Sequence, residues 1–96
     1  MLEKQYRVNA ESGIMARPAT QLVMAANDYQ AAITIIYQGQ QADLKSIMGV
    51  MSLGIPMGSN VQIKFEGEDE LEALNGIDKQ LKREALVEDV DERREA

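Results

Sequence analysis

Neither cysteine nor histidine nor tryptophan occurs among the 96 residues. Without cysteine there is no disulfide framework, no thiolate nucleophile and no Cys-ligated zinc or iron-sulfur site. Without histidine the commonest proton shuttle and metal ligand is missing too. Any function must be built from hydroxyls, carboxylates, Lys, Arg, Met and backbone, and neither a metal nor an organic cofactor is expected. No apolar run approaches the roughly 20 residues of a membrane span. Met1-Leu2-Glu3-Lys4 leads straight into patterned sequence rather than an apolar signal core, so a soluble, cytoplasmic protein is the expectation. A chain of this length makes one domain, since splitting into several begins well above it.

Charge of one sign is scarce in a particular place. Residues 1–65 hold four acids and five bases, whereas residues 66–96 hold twelve acids and five bases, which accounts for the net charge of -6. No basic cluster exists to displace the counterions of duplex DNA, so direct nucleic-acid binding is not expected. An anionic partner group should instead meet the N-terminal two thirds, where Arg17 and Lys45 stand in nearly uncharged surroundings.

What is present is periodic. Tyr6, Val8 and Ala10 alternate with polar residues and predict a strand that Gly13 ends. Pro18 suits a first helical turn, and Ala19, Leu22, Val23 and Ala26 make one stripe of a helix ending near Asn27-Asp28. Residues 32–37 form a β-branched strand, Gln38-Gly39 a hairpin turn, and residues 40–43 a short strand. Ser46 can cap a helix from Ile47 to about Leu53; Val61, Ile63 and Phe65 predict a fourth strand. Asp69 can cap a last helix with Leu71, Leu74, Ile77 and Leu81 as its buried stripe. The order β-α-β-β-α-β-α implies an α+β fold, a four-stranded antiparallel sheet with three helices on one face, over residues 1–85. Residues 86–96 are charge-dense and read as an acidic extension, a frayed helix or solvated tail.

Two segments offer chemistry. In residues 12–18 a glycine delivers the chain to a helix start whose free N–H groups, with Arg17 close by, suit an anion; an ordinary strand-to-helix loop is the plainer reading. In residues 45–56 a short helix is apolar on two sides, Val50 and Leu53 on one, Ile47, Met48 and Met51 on the other. The second stripe is either a methionine-rich recognition patch or simply buried. Ser46 is first a helix cap and second a phosphorylation site, since a phosphate there would lie beside Lys45.

Ser12-Gly13-Ile14-X-Ala16-Arg17-Pro18-Ala19-Thr20, followed by Leu44 to Ile55, closely resembles the HPr family of the bacterial sugar phosphotransferase system in its Gram-positive form. The resemblance implies the open-faced β-sandwich and makes Ser46 the serine phosphorylated by the ATP-dependent HPr kinase/phosphorylase. Carriers of the family have their phosphoryl-accepting histidine where this chain has Met15. A thioether has no ionisable proton and forms no stable phosphoryl adduct, so the sugar-transport relay is excluded on chemistry. What survives is similar to the histidine-free catabolite-repression (Crh) branch, and it implies a regulator without catalytic activity. Phosphorylated on Ser46, such a protein acts as corepressor for the LacI-type catabolite control protein A. The resemblance then implies Arg17 and Lys45 as charged surroundings of the phosphoserine and Ile47, Met48 and Met51 as a docking patch that Met15 joins. Two alternatives remain: a carrier whose histidine was replaced by design, and a relative binding a metabolic enzyme through the same patch. The short connection at Gly13 also admits strand exchange, so a homodimer is a further expectation.

Overall fold

Alternation in burial along β4 (Asn60–Glu66) sets the frame: Val61, Ile63 and Phe65 point into the core, and the residues between them do not. A computed structural model describes residues 1–11, 13–14, 16–84 and 86–89 of the chain. β4 is the central strand. On one side it pairs antiparallel with β1 (Leu2–Val8), matching Tyr6 with Val61 and Leu2 with Phe65. On the other it pairs with β2 (Ala32–Tyr37), matching Ile35 with Ile63 and Ile33 with Phe65. These rows are the apolar face of the sheet, because a register fixed at one pair fixes the face of every residue. β3 (Gln40–Asp43) adds to β2 through the two-residue turn at Gln38 and Gly39, both at positive φ.

Three helices pack on this face. α1 (Ala16–Ala26) buries Ala19, Leu22, Val23 and Ala26, the expected stripe. α2 (Ile47–Ser52) buries Val50, and α3 (Glu70–Arg83) buries Ala73, Ile77 and Leu81. The α3 stripe differs from the expectation: Leu71 is 60% exposed and Leu74 only packs against the core's edge, while Ala73 takes a central place. A short side chain there lets α3 lie close to the sheet, which hydropathy alone does not reveal. Asp69 also departs from expectation. It precedes α3, but its carboxylate caps nothing; Oδ2 and Oδ1 instead accept from the N–H groups of Gln30 and Ala31 at 2.9 and 2.8 Å. The N–H of Gly67 instead finds Glu70 Oε1, at 3.1 Å.

The four expected strands are all present, and a fifth joins them. β5 (Val87–Asp89) pairs antiparallel with β1, giving the order β3-β2-β4-β1-β5. Leu86 and Val87 are buried, so the tail expected from residue 86 onward is folded as far as residue 89; residues 90–96 lie outside the described residues.

Candidate functional site

α1 and α2 run in opposite directions, and the hydrogen bonds at their ends show it. Ile14 N–H, just before α1, donates to Ile55 O, just after α2, at 2.9 Å. At the other end, Asn27 Nδ2 reaches Lys45 O at 3.4 Å and Val23 O at 2.8 Å. Gly13 makes the first contact feasible: its φ is 73°, and a Cβ there would overlap the Ile55 carbonyl oxygen. The backbone of Arg17 opens α1 beside the exit of α2, and Ser46 stands at the entrance of α2, the opposite end. Met15 and Ser12 lie outside the described residues, and of Arg17 only the backbone is described.

Ser46 is the N-cap of α2, as the sequence suggests. Its backbone is extended (φ -115°, ψ 115°), and Oγ accepts from Gly49 N–H at 3.0 Å. The cap bond therefore uses the acceptor side of the hydroxyl and leaves its proton available. Gly49 also keeps space there, since a Cβ would stand 3.2 Å from Ser46 Oγ. Asp43 holds the approach: its carbonyl accepts from Ser46 N–H and its Oδ1 from Lys45 N–H, both at 2.9 Å. The Lys45 ammonium donates to Tyr29 O at 2.7 Å, and this hydrogen bond braces the loop after α1.

Beyond the cap the surface is apolar. Ile47 is 39% and Met48 80% exposed, whereas Met51 is half-buried and packs on the core beside Leu53. The patch is therefore narrower than its stripe: Ile47 and Met48 are available, and Met51 is shared with the interior. Met24 (66% exposed) and Met57 (57%) are further exposed methionines, outside the expected patch. The signal for Met24 lies in its spacing, because position 24 falls off the stripe of Ala19, Leu22, Val23 and Ala26.

Groups able to titrate unusually lie away from this patch. The Gln30 N–H is the main cause holding the Asp69 carboxyl below its ordinary value, with Ala31 N–H and the Lys45 charge assisting against some desolvation. Among the described residues, no cluster of three or more Asp or Glu side chains is arranged to hold a metal, and no helix is long and apolar enough to cross a membrane. What remains is a capped hydroxyl beside two exposed apolar side chains.

Comparison with known proteins gives this arrangement a family. The family model described as the PTS HPr component phosphorylation site matches residues 2–83. The histidine-containing phosphocarrier protein of a mycoplasma is 32% identical, over 91% of this chain and 99% of its own, with a TM-score of 0.88. The phosphocarrier HPr of Bacillus anthracis is 40% identical over 82% and 94%, with a TM-score of 0.77. Crh of Bacillus subtilis, described as a domain-swapped dimer, is 34% identical over 88% and 97%, with a TM-score of 0.68. A family match over residues 2–83 and structural matches covering nearly the whole of both chains agree, and the chain belongs to the HPr family of phosphocarrier proteins and their Crh-like relatives.

Proposed function

We propose that this chain is a regulatory member of the family that carries no phosphohistidine: HPr kinase/phosphorylase phosphorylates Ser46, and the product serves as corepressor for catabolite control protein A. The supporting observation is the cap itself. The Ser46 hydroxyl is partly exposed, its proton is not used in the cap bond, and Ile47 and Met48 stand exposed directly after it. In the transfer, Ser46 Oγ forms a bond to the γ-phosphorus of ATP, the bond from that phosphorus to the ADP oxygen breaks, and the hydroxyl proton passes to a base of the kinase. The phosphate adds about -1.5 to -2 charges at the edge of an uncharged apolar patch. An arginine of the regulator can pair with it bidentately, while Ile47 and Met48 supply apolar contact. Lys45 shapes the field at the phosphate from its position on Tyr29 O, and Met51 supports the patch from beneath. Arg17, at the far end of α2, would widen the contact together with Met15 rather than neutralise the phosphate. Both partners work in the cytoplasm, which is where this reading places the protein.

The carrier reading draws on a specific observation: identity to the B. anthracis phosphocarrier, 40%, exceeds that to Crh, 34%. Chemistry weighs against it, because the chain holds no imidazole at position 15 or elsewhere. A source genome that encodes a near-identical protein with histidine at position 15 would favour an engineered carrier; a separate, more distant histidine-bearing HPr favours the regulator. The direct test is incubation with ATP and HPr kinase/phosphorylase, followed by peptide mapping. One phosphate on Ser46, absent from Ser46→Ala, supports the proposal; a phosphate on another hydroxyl or none at all overturns it.

A further inference from the structure

Lys45, the residue before the Ser46 cap, is held through each of its polar groups. Its N–H donates to Asp43 Oδ1 at 2.9 Å, its carbonyl accepts from Asn27 Nδ2 at 3.4 Å, and its ammonium donates to Tyr29 O at 2.7 Å. Two of these partners belong to the loop between α1 and β2. That loop is fixed in turn. Asp69 accepts from the Gln30 and Ala31 N–H groups, and a Cβ at Gly67 would stand 2.8 Å from Ala31 Cα, so the connection between β4 and α3 lies tightly against it. A Cβ at Gly76 of α3 would overlap the Tyr29 hydroxyl, which places that side chain against the helix. A continuous run of contacts therefore leads from Asp69, through three consecutive loop residues and the Lys45 side chain, to the backbone that enters the Ser46 cap.

We propose that Lys45 and Asp69 are positioning residues for Ser46: Asp69 holds the loop, the loop offers Tyr29 O to the Lys45 ammonium, and Lys45 fixes the direction in which the Ser46 hydroxyl meets a phosphoryl donor. This assignment rests on the reading of Ser46 as phosphoacceptor and gives a duty to Asp69, whose carboxylate is spent on the loop and not on its own helix. The cap by itself does not require either residue, since Ser46 Oγ and Gly49 N–H complete it. Immobilising a lysine stem costs rotamer freedom, and here the stem is spent on a neutral carbonyl sixteen residues away. What that bond supplies is orientation. Phosphoryl transfer depends on aligning the attacking oxygen with the phosphorus and the leaving oxygen, and small misplacements of the acceptor cost rate even when binding is intact.

The test measures kcat and KM separately for ATP-dependent phosphorylation of the full chain by HPr kinase/phosphorylase, with amide exchange at Gly49 as a readout that needs no kinase. Lys45→Met and Asp69→Asn should each lower kcat at least about threefold with KM within about twofold, and the Gly49 amide should exchange at least about threefold faster in both. Lys45→Arg, which can still donate to Tyr29 O, should keep at least about half of the wild-type kcat. Should Asp69→Asn fail to fold by circular dichroism, Asn27→Ala, which removes the other hold on Lys45 from the α1 side, takes its place with the same expectation. An unchanged kcat in the Asp69 or Asn27 variant, or unchanged Gly49 exchange, overturns the proposal. A loss in Lys45→Met confined to KM makes Lys45 a direct kinase contact and overturns it as well. Wild-type chain that takes no phosphate on Ser46 refutes the phosphoacceptor reading instead, and Gly49 exchange in the variants then decides whether Asp69 and Lys45 hold the cap.

Discussion

Asp78 offers the clearest test of how α3 is held on the sheet. Its Oδ1 accepts from the Tyr6 hydroxyl at 2.7 Å and from Lys4 Nζ at 3.0 Å, and Lys82 Nζ stands 3.3 Å from Oδ2. Tyr6 is fully buried, so Asp78→Ala takes from a buried hydroxyl the carboxylate it donates to, at a cost of about 1–3 kcal/mol. The partly exposed Lys4 pair adds about 0.2–1 kcal/mol, and alanine's better helix propensity returns about 0.5 kcal/mol. The net loss should be about 2 kcal/mol, a fall in Tm of about 10 °C for a domain of this size. Urea and thermal unfolding followed by circular dichroism measure it. The pH dependence carries a sign. Partial burial pushes the Asp78 carboxyl up, but the Tyr6 and Lys4 hydrogen bonds, the Lys4 charge and Lys82 outweigh it and take the group below its ordinary value of 3.8. A depressed folded value means the increment is complete above the ordinary carboxylate range and is lost as pH falls through the folded value. Asp69 and Glu70 are depressed as well, so the difference between wild type and Asp78→Asn is the informative curve. It should shrink only in that acid window. A loss below about 0.5 kcal/mol in Asp78→Ala, or a pH-independent difference, would refute the reasoning.

Other outcomes follow from the same contacts. Ser46→Ala should cost about 1 kcal/mol through the lost cap, measured by urea unfolding, besides abolishing kinase-dependent phosphorylation. Gly76→Ala should destabilise by about 1–2 kcal/mol despite a gain of about 1 kcal/mol in helix propensity, because a Cβ there would overlap the Tyr29 hydroxyl. Met48→Asp should leave urea unfolding within about 0.5 kcal/mol of wild type, whereas Met51→Asp should lower stability, since only Met51 packs on the core. Phosphoenolpyruvate and enzyme I should place no acid-labile phosphate on the wild-type chain, and Met15→His should gain it, as read by phosphate release at low pH.

Strands and helices with strong local periodicity are legible in the amino-acid sequence itself. β4 alternates cleanly, the α1 stripe is complete, and Ser46 sits in an N-cap pattern that the geometry bears out. The losses have a common cause: they depend on partners distant in sequence. β5 is three residues, Val-Glu-Asp, and only pairing with β1 makes it a strand. Asp69 resembles a cap from its neighbours, yet the loop at Gln30 and Ala31 claims its carboxylate. Ala73 hardly registers in hydropathy and proves central, while Leu71 registers strongly and faces solvent. At the site, the identity of Ser46, Ile47 and Met48 is readable from the chain alone, but the antiparallel course of α1 and α2, which separates Ser46 from the start of α1 at Arg17, emerges only from the long-range bonds at Ile55 and Lys45.

The central claim is that a phosphate on Ser46 turns a fixed apolar patch into a regulator-binding surface. Titration calorimetry of the unmodified and Ser46-phosphorylated protein against catabolite control protein A tests it most directly. Charge-assisted pairing of the phosphate should strengthen binding by about 1.5–3 kcal/mol, a factor of roughly 10 to 150 in affinity. Met48→Asp in the phosphorylated protein should give back about 1 kcal/mol or more. Equal affinity of the two forms, or phosphorylated Met48→Asp binding as tightly as phosphorylated wild type, would contradict the account.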